Sequence, residues 1–293
     1  MTARVRYGVR GWQRLEGFYP PRTKPAGMLA SYAAVCHVVE ADNTFSGVPK
    51  PERMLEWVHQ TPPDFRFDVV AFGGLTLYQR RPGDSGPVGR RSWTEVAVPP
   101  PEILFDDFAA SIRPLHDAGR LGAIILQLAP WFEAGTAARE YLSVVRARLP
   151  GLPLAVELRH PTWSVPSHQE PTLELLIDLG VGWVVADYPP AQPEWTPPVV
   201  AATVDGLAVI RLHGRNAEAW ARSLSAPVDA NPFEYSDEDL RPWVAHIRAL
   251  AHEVAEVHVL VGTAPQATAL QTARRLEALV TEASNDAARW GVA

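Results

Sequence analysis

Short apolar runs recur along the chain with amphipathic stretches between them, and this alternation restricts the fold more than any other feature of the sequence. Strands that alternate with helices build parallel sheets rather than hairpins. Several runs, such as residues 123–126 and 183–186, are almost continuously apolar, as expected of strands covered on both faces. Eight strands are predicted, at Arg4–Val9, Cys36–Asp42, Phe65–Phe72, Ala123–Leu128, Leu154–Leu158, Val181–Asp187, Ala208–His213 and Val257–Gly262.

Helix signals lie between these runs. Ser236 and three acidic residues precede four apolar residues at helical spacing, namely Leu240, Trp243, Ile247 and Leu250. A second amphipathic stretch covers 136–149 and is followed by Pro150 and Gly151, which end helices. Both segments are predicted to be α-helices.

These elements predict a single (β/α)8 TIM barrel over residues 1–293. A barrel of this kind takes about 250 residues, and no linker-like change in composition divides the chain. The segments 80–101 and 189–198 are rich in glycine, proline or both and are predicted to be irregular loops. A doubly wound sheet is the alternative.

The charge balance disfavours nucleic acid as a partner. Lysine and arginine number 27 against 33 acidic residues, for a formal net charge of -6, so no general positive field attracts phosphates. A local basic group in 80–91, comprising Arg80, Arg81, Arg90 and Arg91, is interpreted as a solvated loop.

The sequence predicts a cytoplasmic protein. Cys36 is the single cysteine and cannot form an internal disulfide. The first eleven residues lack the apolar stretch of a secretory signal, and no apolar run approaches the roughly 18 residues of a membrane span. We therefore expect neither export nor a membrane partner.

Polar residues stand where the predicted strands end. Because parallel strands of a barrel deliver their carboxyl ends to one mouth, these side chains are expected to converge there. Glu157 and Arg159 share one side of their strand, as do Arg211 and His213. The full candidate set is Glu40, Asn43, Gln127, Glu157, Arg159, His160, Asp187, Arg211 and His213, with Trp12 as a further lining residue.

These residue types predict acid–base chemistry on a small molecule. Glu157 or Glu40 is the predicted general base and His213 the acid partner, with Asp187 as a fourth catalytic candidate. Arg159 and Arg211 are predicted to hold an anionic or polyol ligand, assisted by Asn43, Gln127, His160 and Trp12. The alternative is that these groups form structural ion pairs that close the barrel rim.

No cofactor is predicted, although a divalent metal is left open. Four of the candidates are ligand types that such ions use, namely Glu40, Glu157, Asp187 and His213. The chain has no His-Glu-x-x-His motif, no phosphate-binding glycine loop and no Gly-x-Ser-x-Gly elbow. A nucleotide cofactor and a serine hydrolase are therefore not indicated.

The same residues resemble a known family, the YecE-like family or domain of unknown function 72, over nearly the whole chain. The matching segments are Gly8–Trp12, Gly17–Pro20, Val39–Phe45, Trp57, Thr61–Pro62, Phe65–Phe67, Gln127–Pro130, Glu157–Trp163, Asp187, Arg211–Arg215, Tyr235–Ser236, Leu240 and Trp243. The resemblance implies a (β/α)8 barrel and supplies no reaction.

This chain departs from the family pattern at three places. Val70 stands where relatives usually have lysine, Thr76-Leu77 stands for a Thr-His element, and Val261-Gly262-Thr263 replaces Phe-Asn-Asn. Loss of these polar groups weakens any proton transfer or anion clamp that they serve. The sequence thus leaves two functions: a hydrolase or isomerase acting on a sugar, sugar phosphate or phosphoester, and a non-catalytic ligand-binding barrel.

Overall fold

A computed structural model describes residues 3–77, 101–189, 198–223 and 231–290. Its barrel strands are β1 (Arg4–Val9), β2 (Val38–Ala41), β3 (Arg66–Val70), β4 (Leu121–Gln127), β5 (Leu154–Glu157), β6 (Gly182–Asp187), β7 (Leu207–Leu212) and β8 (Glu256–Val261). The helices of the described residues are α1 (Pro25–Ala33), α2 (Pro51–Gln60), α3 (Glu102–Asp117), α4 (Thr136–Arg148), α5 (Pro166–Leu179), α6 (Ala217–Ser223), α7 (Asp237–Glu253) and α8 (Gln266–Trp290). None of these helices is long and apolar enough to cross a membrane.

All eight strands run parallel in one sheet, in the order β1-β8-β7-β6-β5-β4-β3-β2. An isolated parallel bridge between Arg10 and Glu40 brings the two ends of the sheet together. The predicted single-domain (β/α)8 barrel is confirmed, and the doubly wound alternative is excluded because the sheet curls back on itself. The predicted loops at 80–101 and 189–198 lie outside the described residues, apart from their end positions.

Alternation along the strands sorts side chains into two layers. Those facing the barrel interior form a small apolar cluster, made of Val38, Ala123, Ile125, Ala155, Val184, Ala186, Val209 and Leu260. The alternate positions face outward and pack with the helices into the main core. This period of two determines which strand-end residues point into the mouth.

The seam between β1 and β2 is closed by a side chain. The Tyr32 hydroxyl, from α1, accepts a hydrogen bond from Val9 N (3.1 Å) and donates one to Val38 O (2.9 Å). A Cβ on Gly8 would lie 2.2 Å from Val38 O, so glycine is needed for β1 to approach β2 this closely.

A buried polar cluster fills the opposite, N-terminal end of the barrel. His258 Nδ1 lies 2.9 Å from Asp68 Oδ2, and its Nε2 lies 3.1 Å from Glu256 Oε2. The β3–β4 register shifts beside Asp68, whose Oδ1 accepts a bond from Ala123 N at 2.9 Å. A Cβ on Gly122 would lie 2.3 Å from that oxygen, so the absence of a side chain at this glycine makes room for the carboxylate.

The two helices predicted from the sequence are present. Ser236 forms a capping box with Asp239 at the start of α7. The helix α4 ends at Arg148, one residue before the predicted boundary, and Gly151 beyond it has a positive φ of 71°.

Candidate functional site

The C-terminal mouth of the barrel holds a continuous network of charged side chains. Arg211 of β7 donates to both carboxylate oxygens of Glu40 on β2, from Nε at 2.9 Å and from NH2 at 2.5 Å. Its NH1 donates to Glu157 of β5 and, at 2.9 Å, to Gln127 Oε1 of β4. Four strands therefore meet at one guanidinium group.

All three charged groups of this network are buried. The residues Glu40, Glu157 and Arg211 are 2%, 0% and 3% exposed, so each charge needs a partner in place of water. Burial alone would lower the pKa of Arg211, but Glu157 and Glu40 raise it above its ordinary value. The guanidinium therefore stays charged.

His213 extends the network toward the mouth. Its Nε2 lies 3.1 Å from Glu157 Oε2. Burial would raise the pKa of Glu157, but Arg211 and His213 together with Arg159 hold it well below its ordinary value. Burial lowers the pKa of His213, with a contribution from Arg211, while Glu157 opposes this shift. At neutral pH the pair is a carboxylate beside an uncharged imidazole.

The identity of its neighbour fixes the tautomer of His213. An ionised carboxylate can only accept hydrogen bonds, so the neutral ring carries its proton on Nε2, toward Glu157. Nδ1 then keeps its lone pair. A Cβ on Gly262 would lie 3.7 Å from Nδ1, an ordinary van der Waals contact, so this glycine borders the basic nitrogen.

A second group of side chains surrounds this pair. Tyr188 stacks on the His213 ring with centroids 5.6 Å apart and planes 5° from parallel. The Trp220 ring of α6 contacts Tyr188 at 4.6 Å and lies 4.2 Å from the guanidinium carbon of Arg159. Arg159 Nε in turn lies 3.7 Å from Glu157 Oε1. These contacts restrain the orientation of both the histidine and the arginine.

Asp187 belongs to a different polar group. It follows Trp183 and Val185 on the outward side of β6, where both pack in the main core. Its Oδ2 accepts bonds from Arg215 Nε (2.9 Å) and from the Tyr235 hydroxyl (2.7 Å). The role predicted for Asp187 remains a prediction, but its contacts join the end of β6 to the segment before α7.

The other predicted binding residues occupy varied positions. Gln127 joins the network through Arg211, whereas Asn43 is exposed at the start of a 3-10 helix, Asn43–Ser46. His160 caps the 3-10 helix Pro161–Trp163, accepting from Thr162 N. Trp12 is buried in the main core, edge-on to Trp57 at 5.0 Å.

Sequence reasoning missed Tyr188 and Trp220 as site residues. Counting by two from Ala186, which faces the interior, would have placed Tyr188 in the mouth. Nothing local marks Trp220, because its position depends on how α6 packs over the strand ends. The ion pair of Arg10 Nε with Asp42 Oδ2, at 2.8 Å, was also missed. It was predictable from the sequence, because each residue lies two positions after a strand residue that faces the barrel interior.

The four predicted metal-ligand candidates do not share one centre. Arg211 bonds to both Glu40 and Glu157, so its guanidinium occupies the position that a metal ion shared by these carboxylates would need. Asp187 is bound to Arg215 instead. Within the described parts of the chain no group of three or more histidine, cysteine or acidic side chains is arranged to hold a metal ion.

An eight-stranded parallel barrel with a titratable network at its C-terminal mouth defines a TIM-barrel protein. The family model of the protein of unknown function DUF72 matches residues 6–291. The chain belongs to this family.

Curated relatives and solved structures agree with this assignment. The UPF0759 protein YunF of Bacillus subtilis (strain 168) is 28% identical over 258 residues, covering 86% of each chain. The UPF0759 protein YecE of Escherichia coli (strain K12) is 31% identical over 166 residues, 56% of this chain and 53% of its own. A DUF72 crystal structure from Thermotoga maritima MSB8 has a TM-score of 0.76 at 27% identity, covering 95% of this chain and 99% of that one. A second, from Enterococcus faecalis V583, has a TM-score of 0.78 at 22% identity, covering 95% and 98%.

Proposed function

We propose that the protein is an enzyme of the hydrolase or isomerase kind that acts on a small sugar-like or phosphoester substrate at the C-terminal mouth of the barrel. The observation that carries this proposal is the Glu157–His213 pair, with Nε2 of the imidazole 3.1 Å from the carboxylate. His213 is the general base, acting through Nδ1, and Glu157 orients the ring and stabilises the imidazolium that forms.

The two glutamates have different roles in this proposal. Both oxygens of Glu40 accept bonds from Arg211, so its lone pairs are less available to a substrate. Arg211 and Glu40 form a positioning pair: Glu40 holds the Arg211 guanidinium, which in turn fixes the position of the Glu157 carboxylate. Glu157 bonds to Arg211 and His213 through Oε2 alone, so Oε1, with only the longer 3.7 Å contact to Arg159, is the oxygen proposed to bind the ligand.

A non-catalytic ligand-binding barrel is the second candidate. Two of the departures from the family pattern, Val70 and Leu77, are buried apolar side chains, 3% and 7% exposed. Neither can transfer a proton or bind an anion. The mouth retains His213 and Glu157, and for this reason we place the enzyme first.

The two candidates are separated by turnover in heavy water. The protein is incubated in D2O with aldoses, ketoses, their monophosphates and phosphodiesters, with and without divalent metal ions. Mass spectrometry then detects deuterium incorporated at carbon, or cleavage products. We expect one compound class to react and His213→Gln to lower its kcat by about 10²- to 10⁴-fold.

The matched control is His252→Gln on the exposed face of α7, which should leave the rate unchanged. Absence of reaction across the panel, or full activity of the His213 variant, would contradict the enzyme proposal. A compound that raises the melting temperature and is recovered unchanged supports the binding barrel instead.

A further inference from the structure

Glu157 Oε1 and the Tyr188 hydroxyl are buried at the mouth without a hydrogen bond of normal geometry among the described residues. Each has a weaker polar neighbour: Arg159 Nε lies 3.7 Å from Oε1, and burial together with the nearby Glu157 carboxylate raises the pKa of Tyr188 well above its ordinary value. Both side chains are otherwise fixed, since Glu157 is bound through Oε2 and the Tyr188 ring stacks on His213. A buried group that lacks a partner costs stability unless a ligand satisfies it. The two residues lie on neighbouring strand ends, and both contact His213, Glu157 through Oε2 and Tyr188 through its ring.

The cations near the mouth are already matched by carboxylates. Each of the four arginines in the described part of the mouth lies within ion-pair distance of an acidic side chain. The pairs are Arg10 with Asp42, Arg159 with Glu157, Arg211 with Glu40 and Glu157, and Arg215 with Asp187 and Asp239. Four arginines face five carboxylates, so these residues offer no surplus positive charge to a phosphate.

A phosphate group also has the wrong hydrogen-bonding character for this place. Its unprotonated oxygens only accept, as does Glu157 Oε1, so the two would repel. A hydroxyl group both donates and accepts. It can donate to Glu157 Oε1 while it accepts from the Tyr188 hydroxyl, which satisfies both buried atoms at once.

We propose that the site takes an uncharged polyol, such as an unphosphorylated sugar, and that Glu157 Oε1 and Tyr188 bind one of its hydroxyl groups. This assignment rests on the proposed function and narrows its substrate class. Tyr188 is then a specificity-determining residue, which selects ligands that carry a hydroxyl at that position.

The test measures dissociation constants by calorimetry for the whole chain. The probes are monosaccharides and alditols, the corresponding monophosphates, and inorganic phosphate. We expect a neutral sugar to bind more tightly than its phosphate, and Tyr188→Phe to weaken its binding by about 5-fold, the loss of one hydrogen bond. A monodeoxy analogue that lacks the recognised hydroxyl should bind wild type and Tyr188→Phe equally.

Tyr7→Phe is the matched control, because the Tyr7 hydroxyl on β1 is also buried without a hydrogen bond among the described residues. Tyr7 packs against the main core, outside the barrel interior, so its variant should bind the sugar as wild type does. Preferential binding of the phosphates, no binding of any neutral polyol at millimolar concentration, or equal effects of the two variants would overturn the proposal.

The same measurements separate this inference from the proposed function. One outcome is that neutral sugars bind, that Tyr188→Phe weakens this binding, and that no sugar reacts. This outcome supports the proposed ligand class and contradicts proton transfer by His213. Turnover of a phosphorylated compound that depends on His213, without affinity for neutral sugars, supports the enzyme and overturns the ligand class.

Discussion

Arg211 links the carboxylates at the mouth, because its guanidinium is shared between Glu40 and Glu157. Replacing it by methionine removes the counter-ion that two buried carboxylates share, and leaves Glu157 only the more distant Arg159. We expect Arg211→Met to lower the free energy of unfolding by about 3–5 kcal/mol, measured by urea denaturation. Arg275→Met, which removes an exposed pair with Asp237, should change stability little. Comparable losses in the two variants would contradict the central role of Arg211.

His213 gives a direct test of the electrostatics at the same scale. Because burial keeps its pKa below the ordinary value and Glu157 opposes that shift, Glu157→Gln should lower the pKa further. The measurement is an NMR titration of the imidazole resonances in both proteins, with the exposed substitution Glu102→Gln on α3 as control. A pKa of His213 above about 6.5 in the wild-type protein, or a higher pKa of His213 in the Glu157 variant, would contradict these electrostatics of the Glu157–His213 pair.

Much of this residue-level arrangement follows from the period of two along strands. It predicts that Arg211 and His213 share a side, and both lie in the mouth network. Applied from Val185, the same counting puts Asp187 on the outward face, where Arg215 binds it. Trp220 could not be found this way, since no local pattern determines which strand end a helix side chain covers.

At the scale of elements, the seam between β1 and β2 depends on one hydroxyl. Tyr32→Phe leaves Val9 N and Val38 O buried without their shared partner, which should cost about 1–3 kcal/mol of unfolding free energy. Chemical denaturation measures the loss, and hydrogen exchange should show faster exchange at Val9 N. Tyr7→Phe removes a hydroxyl that makes no hydrogen bond in the described residues and should be close to neutral. Equal stability of both variants would show that the seam does not need Tyr32.

The buried cluster of His258, Asp68 and Glu256 makes a pH-dependent contribution to stability. Burial opposes the charged form of His258, but Asp68 and Glu256 raise its pKa above the ordinary value. The folded state therefore binds this proton more tightly than the unfolded state. The contribution is complete below about pH 6.5, the unfolded pKa, and is lost as pH rises through the raised folded value.

Asp68→Asn tests this contribution and keeps an oxygen for Ala123 N. The difference in unfolding free energy between wild type and variant should be largest below about pH 6.5 and narrow above it. Asp64→Asn, beside the exposed His37, should give a much smaller pH dependence. If the difference in unfolding free energy instead grew as pH rises, the predicted sign of the pH dependence would be wrong. The proposed contribution of His258 to stability would then be rejected.

For the whole molecule, the sequence predicts the fold better than the chemistry. The alternation of elements is repeated eight times, so single boundary errors, such as β2 ending at Ala41 instead of Asp42, do not change the architecture. The site depends on which side chains meet across strands far apart in sequence, as Glu40 and Arg211 do. Composition and spacing bring both residues to the mouth, but they do not determine that the two side chains pair, or which carboxylate oxygen lacks a close hydrogen bond.

In the proposed function, the mouth network binds the substrate of this protein through Glu157 and His213. The most direct measurement is a crystal structure with the sugar that most raises the melting temperature. We expect a ligand hydroxyl within about 3 Å of Glu157 Oε1, with another polar ligand atom beside His213 Nδ1. A ligand that binds elsewhere, while Glu40, Arg211, Glu157 and His213 bond only to one another, would contradict it.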